Sequence, residues 1–370
     1  MSGSTGPASS ELYIGLMSGT SLDGVDAALV DLTRSPVLLE TEFLPYPDEL
    51  KSALLALHST GDDELNRAAL LGAELAELYA EAVNRLIEKS NVPAASIRAV
   101  GCHGQTVRHR PAAGYTLQLG NPALLAERTG IAVVADFRSR DIAADGQGAP
   151  LVPAFHAACF RDSKRHRVVI NIGGIANLTD LPPGGPVGGF DTGPGNLLLD
   201  AWVREKIGRD FDRDGAFAAT GRPVEALLEA MYADTYFRRP PPKSTGRDHF
   251  NIEWLHAFGV AHHSIEDVQA TLAELTARTI GDAIARYCSG VEEACVCGGG
   301  AHNTDLVRRL QRALPGCRID STDRLGVPPD WVEAMAFAWL AQRALKNETG
   351  NLPAVTGARG TRVLGAIYPA

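Results

Sequence analysis

A strand, a glycine turn and a second strand occur twice in this chain. The first copy runs through Tyr13-Ile14-Gly15-Leu16, a turn from Met17 to Gly24, and then Val25 to Leu32. The second runs through Arg167 to Ile172, the pair Gly173-Gly174, and Asn177 to Leu181, about 155 residues further on. Apolar, β-branched runs bounded by glycine read as strands. Residue identity between the copies is low, so the repeat lies in the pattern of elements. At about 150 residues per domain, a chain of 370 residues divides into two.

The segments around the two copies fill out an α/β alternation. Glu64 to Lys89 is an amphipathic helix, with Leu71, Leu75, Leu78, Ala82 and Leu86 at helical spacing. Ile97 to Cys102, Tyr115 to Gln118 and Ile131 to Ala135 read as strands, and Pro122 to Thr129 as a helix. Leu151 to Phe160 is a helix at the first crossing between domains. Beyond the second copy come helices at Gly195 to Ile207, Val224 to Tyr236, Asp267 to Tyr287, Asn303 to Ala313 and Trp331 to Lys346, with a buried strand at Glu293 to Cys297. Mixed sheets flanked by helices follow from this order. We expect domain I to span 11–150 plus 347–370 and domain II to span 151–346.

Composition narrows the function. A net charge of -9 offers no basic field for nucleic acid. The small, polar residues 1–10 read as a lead-in, with no basic or apolar region of a signal peptide. No apolar run approaches the roughly 18 residues of a membrane span. Six cysteines without a CxxC pair fit free thiols in the cytoplasm. Glycine is frequent, at 38 residues, and falls in short loops, as where backbone packs against a ligand.

Four glycine motifs carry the chemistry. Gly19-Thr20-Ser21-Leu22-Asp23-Gly24 offers backbone N–H groups and hydroxyls to phosphate oxygens, and Asp23 suits a magnesium ion held through water. An ordinary Asp-Gly hairpin is the alternative. Gly173-Gly174, preceded by Asn171, is either a plain hairpin or the second side of a phosphate clamp. Gly298-Gly299-Gly300, between a buried strand and a helix that begins at Asn303, lets a ligand lie on the backbone at a helix N-terminus. Phe190-Asp191-Thr192-Gly193-Pro194-Gly195-Asn196 ends an apolar stretch with a carboxylate. Asp191 there is a candidate general base or a cap of the next helix, and the surrounding glycines favour the base. His103, Gln105, Arg138 and Glu333 stand at element ends, as residues lining a cleft would. His103 lacks a second ligand at metal spacing. Asp212-Arg213-Asp214-Gly215 lacks the rest of a calcium loop and reads as a turn or a further lining of the cleft. No GxxxxGK[ST] loop and no HRD or DFG set occurs, so phosphoryl transfer here needs another scaffold.

The Met17–Gly24 turn, the Gly173 turn and the Gly298–Gly300 loop resemble the phosphate-1, phosphate-2 and adenosine motifs of the actin, Hsp70 and sugar-kinase superfamily. More narrowly, the chain resembles the anhydro-N-acetylmuramic acid kinase family from Tyr13 to Ala370. Gly15 to Gly24, His103-Gly104-Gln105-Thr106, Gly120-Asn121-Pro122, Ala135-Asp136-Phe137-Arg138 and Gly146 to Pro153 carry the resemblance. So do Asn171 to Gly174, Phe190 to Asn196, Lys243-Ser244-Thr245-Gly246 and Glu333-Ala334-Met335-Ala336. It implies a two-lobed actin-like (ribonuclease H-like) α/β fold with a cleft between the lobes. It also implies a cytoplasmic, usually dimeric enzyme that uses ATP and Mg²⁺ to open 1,6-anhydro-N-acetylmuramic acid and phosphorylate O6. ATP would then meet Ser18, Gly19, Thr20, Ser21, Leu22, Asp23, Gly24, Val25, Gly173, Gly174, Gly298, Gly299, Gly300 and Asn303. The sugar would meet His103, Gln105, Arg138, Asp191 and Glu333, with Asp191 as base and Arg138 paired to the lactyl carboxylate. A conventional aminosugar kinase and a nucleotide-gated assembly protein are the rival readings. The first needs a free 6-hydroxyl on its substrate, and the second hydrolyses ATP without regard to sugar.

Overall fold

A computed structural model describes residues 10–19 and 21–370. The chain forms two compact units, Met1–Phe155 with Trp331–Ala370, and His156–Asp330.

In the first unit the strands are β1 (Leu12–Met17), β2 (Gly24–Asp31), β3 (Val37–Pro45), β4 (Ile97–Cys102), β5 (Gln105–Arg110), β6 (Tyr115–Leu119) and β7 (Val133–Ala135). The second unit holds β8 (Arg167–Ile172), β9 (Ile175–Leu181), β10 (Gly188–Pro194), β11 (Glu293–Cys297) and β12 (Arg318–Ser321). The last strand, β13 (Ala366–Tyr368), pairs antiparallel with β7, so the tail adds an edge strand to the first sheet.

The repeat in the sequence is a repeat of topology. The first sheet runs β13-β7-β4-β1-β2-β3 and the second β10-β9-β8-β11-β12. In each, an antiparallel hairpin continues into a third antiparallel strand on one side, and a parallel strand lies on the other. The two glycine turns therefore occupy the same position in two sheets of one plan.

Burial explains the elements. Both β1 and β8 are buried along their whole length, which is why their apolar runs do not alternate with polar residues. The helix Glu64–Ser90 buries Leu71, Leu75, Ala82 and Leu86 in the first core, with Leu78 partly buried against it. The helix Ile265–Tyr287 starts at Ser264, whose side chain accepts from the Asp267 amide.

Two expectations need correction. Residues 331–346 were expected in domain II, but the helix Val332–Leu345 belongs to the first unit. Gly15 and Gly101, on neighbouring strands, leave no room for a Cβ against the backbone of Ala334 and Phe337, so this helix lies directly on the sheet. The expected helix from Val224 to Tyr236 is broken in two, Glu225–Tyr232 and Thr235–Arg238. Asp234 interrupts it, because its side chain accepts from the Tyr236 amide and starts a new turn.

Candidate active site

The turn between β1 and β2 is held from beneath. Ser18 is buried, its hydroxyl donates to the Gly104 carbonyl at 3.0 Å, and the same oxygen lies 2.9 Å from the Tyr79 hydroxyl. The Gly19 carbonyl accepts from Gln105 Nε2 at 3.1 Å. Gln105 is fully buried, and its Oε1 meets no partner among the described residues. Leu22 adopts φ 61° and buries its side chain, a left-handed turn residue fixed by the core. Val25 is likewise core, and Gly24 sits where a Cβ would overlap Leu44 and the Phe43 ring. Ser21 and Asp23 are exposed, and the Ser21 hydroxyl donates to Asp23 Oδ1 at 2.5 Å. Thr20 lies outside the described residues. So Ser18, Leu22 and Val25 build the turn with their side chains, and the surface it presents is Gly19, Ser21 and Asp23.

The same unit joins His103 to Arg138. Arg138 Nε and Nη2 stand 3.1 and 2.8 Å from His103 Nε2, and Nη1 donates to the Gly148 carbonyl at 2.7 Å. A guanidinium only donates, so Nε2 accepts and the ring proton sits on Nδ1. Burial, and then the Arg138 charge, hold His103 well below its ordinary pKa. The ring packs on Phe337, 4.7 Å between centroids, within the helix that Glu333 opens half-buried.

In the second unit the glycine motifs assemble on one another. The Gly173 carbonyl accepts from the Asn196 amide at 2.8 Å, and the Gly174 carbonyl from the Gly195 and Leu197 amides at 2.9 and 3.0 Å. The hairpin turn thus caps the helix Leu197–Ile207 with its carbonyls. Gly298, at φ 75°, and Gly300 press against Asn171 and Ile172, so the third loop lies on the second turn. A short 3₁₀ turn, Gly299–His302, separates that loop from the helix Thr304–Ala313, which was expected to begin at Asn303. Asn303 itself caps the helix, its Oδ1 accepting from the Leu306 amide at 2.9 Å.

Asp191 stands on β10, 7 % exposed, where the pairing with β9 breaks register between Asp191 and Gly193. Its Oδ2 accepts from the Thr245 amide at 3.0 Å, its amide donates to the Lys243 carbonyl at 3.2 Å, and its carbonyl accepts from the Tyr236 hydroxyl at 2.7 Å. It does not cap the helix Leu197–Ile207. Lys243 Nζ lies 4.5 Å from the Tyr236 ring centre, and burial is the first cause that lowers its pKa to about 8. Sequence reasoning gave Tyr236, Lys243 and Thr245 no role. The stretch Lys243–Gly246 stood out as a motif, whereas nothing local marks Tyr236.

The family model for anhydro-N-acetylmuramic acid kinase matches residues 11–370. An anhydro-N-acetylmuramic acid kinase from Nitrosomonas europaea is 56 % identical over 97 % of this chain and 99 % of its own. One from Thiobacillus denitrificans is also 56 % identical, over 97 % and 98 %. Among solved structures, the activator of the 2-hydroxyisocaproyl-CoA dehydratase from Clostridium difficile aligns over 90 % of this chain and 96 % of its own, at 14 % identity and a TM-score of 0.47.

Proposed function

The chain belongs to the anhydro-N-acetylmuramic acid kinase family, and from that membership we propose that Asp191 is the general base of an ATP-dependent phosphorylation of 1,6-anhydro-N-acetylmuramic acid. In this sugar O6 is tied to C1, so no 6-hydroxyl is there to deprotonate. Water attacks C1 and gives its proton to Asp191. The C1–O6 bond breaks, O6 takes the γ-phosphoryl group, and the bond from phosphorus to ADP breaks. The products are N-acetylmuramic acid 6-phosphate and ADP, a step of peptidoglycan recycling. The observation that carries the reading is the Asp191 carboxylate, nearly buried and with one oxygen fixed by the Thr245 amide.

The other residues bind and orient. Arg138 pairs with the lactyl carboxylate, and a His103 that stays neutral leaves its charge undivided. Gln105 Oε1, buried and without a partner among the described residues, takes a hydrogen bond from the sugar. Glu333 holds a sugar hydroxyl or the water. Backbone amides of the turn 18–25 and of Gly173-Gly174 meet the phosphoryl oxygens, and the loop Gly298–Gly300 with Asn303 meets the nucleoside.

Asp23 fits a magnesium ion that arrives with ATP. Among the described residues no group of three or more His, Cys, Asp or Glu is arranged for a metal, but magnesium on a nucleotide keeps most of its waters and needs few protein ligands. The exposed Asp23 carboxylate would hold it through water. When bound, the ion neutralises charge on the transferring phosphoryl group.

Asp191→Asn tests the assignment. Turnover should fall by about 10²- to 10⁴-fold while ATP still binds. Near-normal turnover would remove Asp191 from the mechanism. Run in ¹⁸O-labelled water, the native enzyme should place the label at C1 of the product. We further propose a cytoplasmic homodimer. Six free cysteines fit a reducing compartment, no described helix is long and apolar enough to cross a membrane, and light scattering of the purified protein measures the assembly.

A further inference from the structure

Asp191 is gripped by one stretch of chain on three of its polar groups. Its amide bonds Lys243, its carbonyl bonds Tyr236, and its carboxylate bonds Thr245. Asp191 still pairs with Asn177 of β9, the register breaks just after it, and β10 is the edge strand of its sheet, so the Asp191 amide and carbonyl point outward to the stretch 236–245. That stretch is itself braced. Tyr236 is 1 % exposed and stands edge-on to Phe237 and Phe250. Lys243 Nζ donates to the Tyr236 carbonyl at 3.2 Å while lying over its ring. Burial, and then the neighbouring Asp191 charge, push the Tyr236 phenol up, so it stays a donor across the working pH range.

We propose that Tyr236, steadied by Lys243, is a positioning residue for the base. Its hydroxyl fixes the Asp191 peptide at the strand irregularity and so sets the direction of the carboxylate before substrate arrives. The proposal rests on Asp191 being the base. A freed carbonyl would let the peptide rotate, and a misplacement of about 1 Å at a reacting group costs up to roughly 10²-fold in rate. Tyr236 touches no reacting atom in this scheme.

The test is a double-mutant cycle on the full chain, with Tyr236→Phe, Asp191→Asn and both together. Residual rates are followed as sugar phosphate by mass over hours. Tyr236→Phe keeps the ring and loses only the hydroxyl. We expect kcat to fall by about 10- to 100-fold with KM for ATP unchanged. In the Asp191→Asn background the same change should cost nothing further. Wild-type kcat in Tyr236→Phe, or an equal loss in both backgrounds, would overturn the positioning role and leave the base intact. High activity in Asp191→Asn would instead sink the base reading, and this one with it. If Tyr236→Phe does not fold, Lys243→Met serves, with a smaller loss in kcat and the same non-additivity expected.

Discussion

The two glycine turns occupy one topological position and are built by opposite means. The turn between β1 and β2 is long and rests on side chains: Ser18 against Gly104 and Tyr79, and Gln105 beneath the Gly19 carbonyl. The turn between β8 and β9 is short and rests mostly on backbone, with one side-chain bond from Asn196 Nδ2 to the Ile172 carbonyl at 3.1 Å. Its carbonyls cap a helix, and the loop at Gly298 lies on the end of β8 and Ile172. A turn of the first kind tolerates change at its presented glycine, Gly19, but not in its supports. A turn of the second kind has few side chains to lose, and its weak points are the glycines around it.

The largest expected effect tests that contrast directly. A Cβ on Gly195 would overlap the Gly173 carbonyl oxygen, with Ala176 N at 3.2 Å and Gly174 O at 3.3 Å closing the space. Backbone does not yield there as a side chain would, so Gly195→Val should cost more than about 3 kcal/mol and most soluble expression. On Gly19 the nearest neighbour of a Cβ is Ser21 Oγ at 3.6 Å. Gly19→Ala should therefore leave the melting temperature within a degree or two, the range of about 0.5 kcal/mol typical of such sites. Equal losses in the two variants would break the comparison.

Acid sharpens it further, because each unit buries a neutral histidine with a different job. His156, fully buried with Nδ1 2.8 Å from Thr179 Oγ1, is lowered by burial to about 3. In the unfolded chain it titrates near 6.5. Between those values the unfolded state binds more protons, so stability is full above pH ~6.5 and declines as pH falls toward 3, by about 1.4 kcal/mol per unit. At pH 5 the loss is about 2 kcal/mol. His103 shifts in the same direction, by burial and by Arg138, so its contribution is also lost as the solution is acidified below its unfolded pKa. Urea melts against pH should show the decline, and His156→Gln should flatten it with activity kept. His103→Gln should flatten it too, but at the expense of sugar KM, because Arg138 loses the nitrogen that orients it.

Much of this was legible before any coordinates. The buried strands announce themselves as β-branched runs, and glycine marked both turns and the loop at 298, because close backbone approach leaves a composition signal. What the sequence hid was pairing at a distance. Tyr236 meets Asp191 across 45 residues, and Gln105 meets Gly19 across 86, with no local pattern to show it. The helix Val332–Leu345 reads as a continuation of the second unit, and only the lack of a Cβ at Gly15 and Gly101, where the helix backbone fills the space, explains its place on the first sheet. Ser18 misled in a different way. A serine beside glycines in such a turn suggests a hydroxyl offered to phosphate, yet this one faces inward to Tyr79.

That reversal gives the smallest expected loss. Ser18→Ala removes a donor from the buried Gly104 carbonyl and a partner from Tyr79, which costs about 1–2 kcal/mol when an acceptor is left dry. As a support, Ser18 should lower the melting temperature by a few degrees and move KM for ATP little. Tyr79→Phe should then cost less in the Ser18→Ala background than in the native chain, since the two share one hydroxyl contact. A rise in KM for ATP with an unchanged melting temperature would reverse the assignment. The first turn would then grip phosphate with its own hydroxyl, and its side chains would no longer be supports alone.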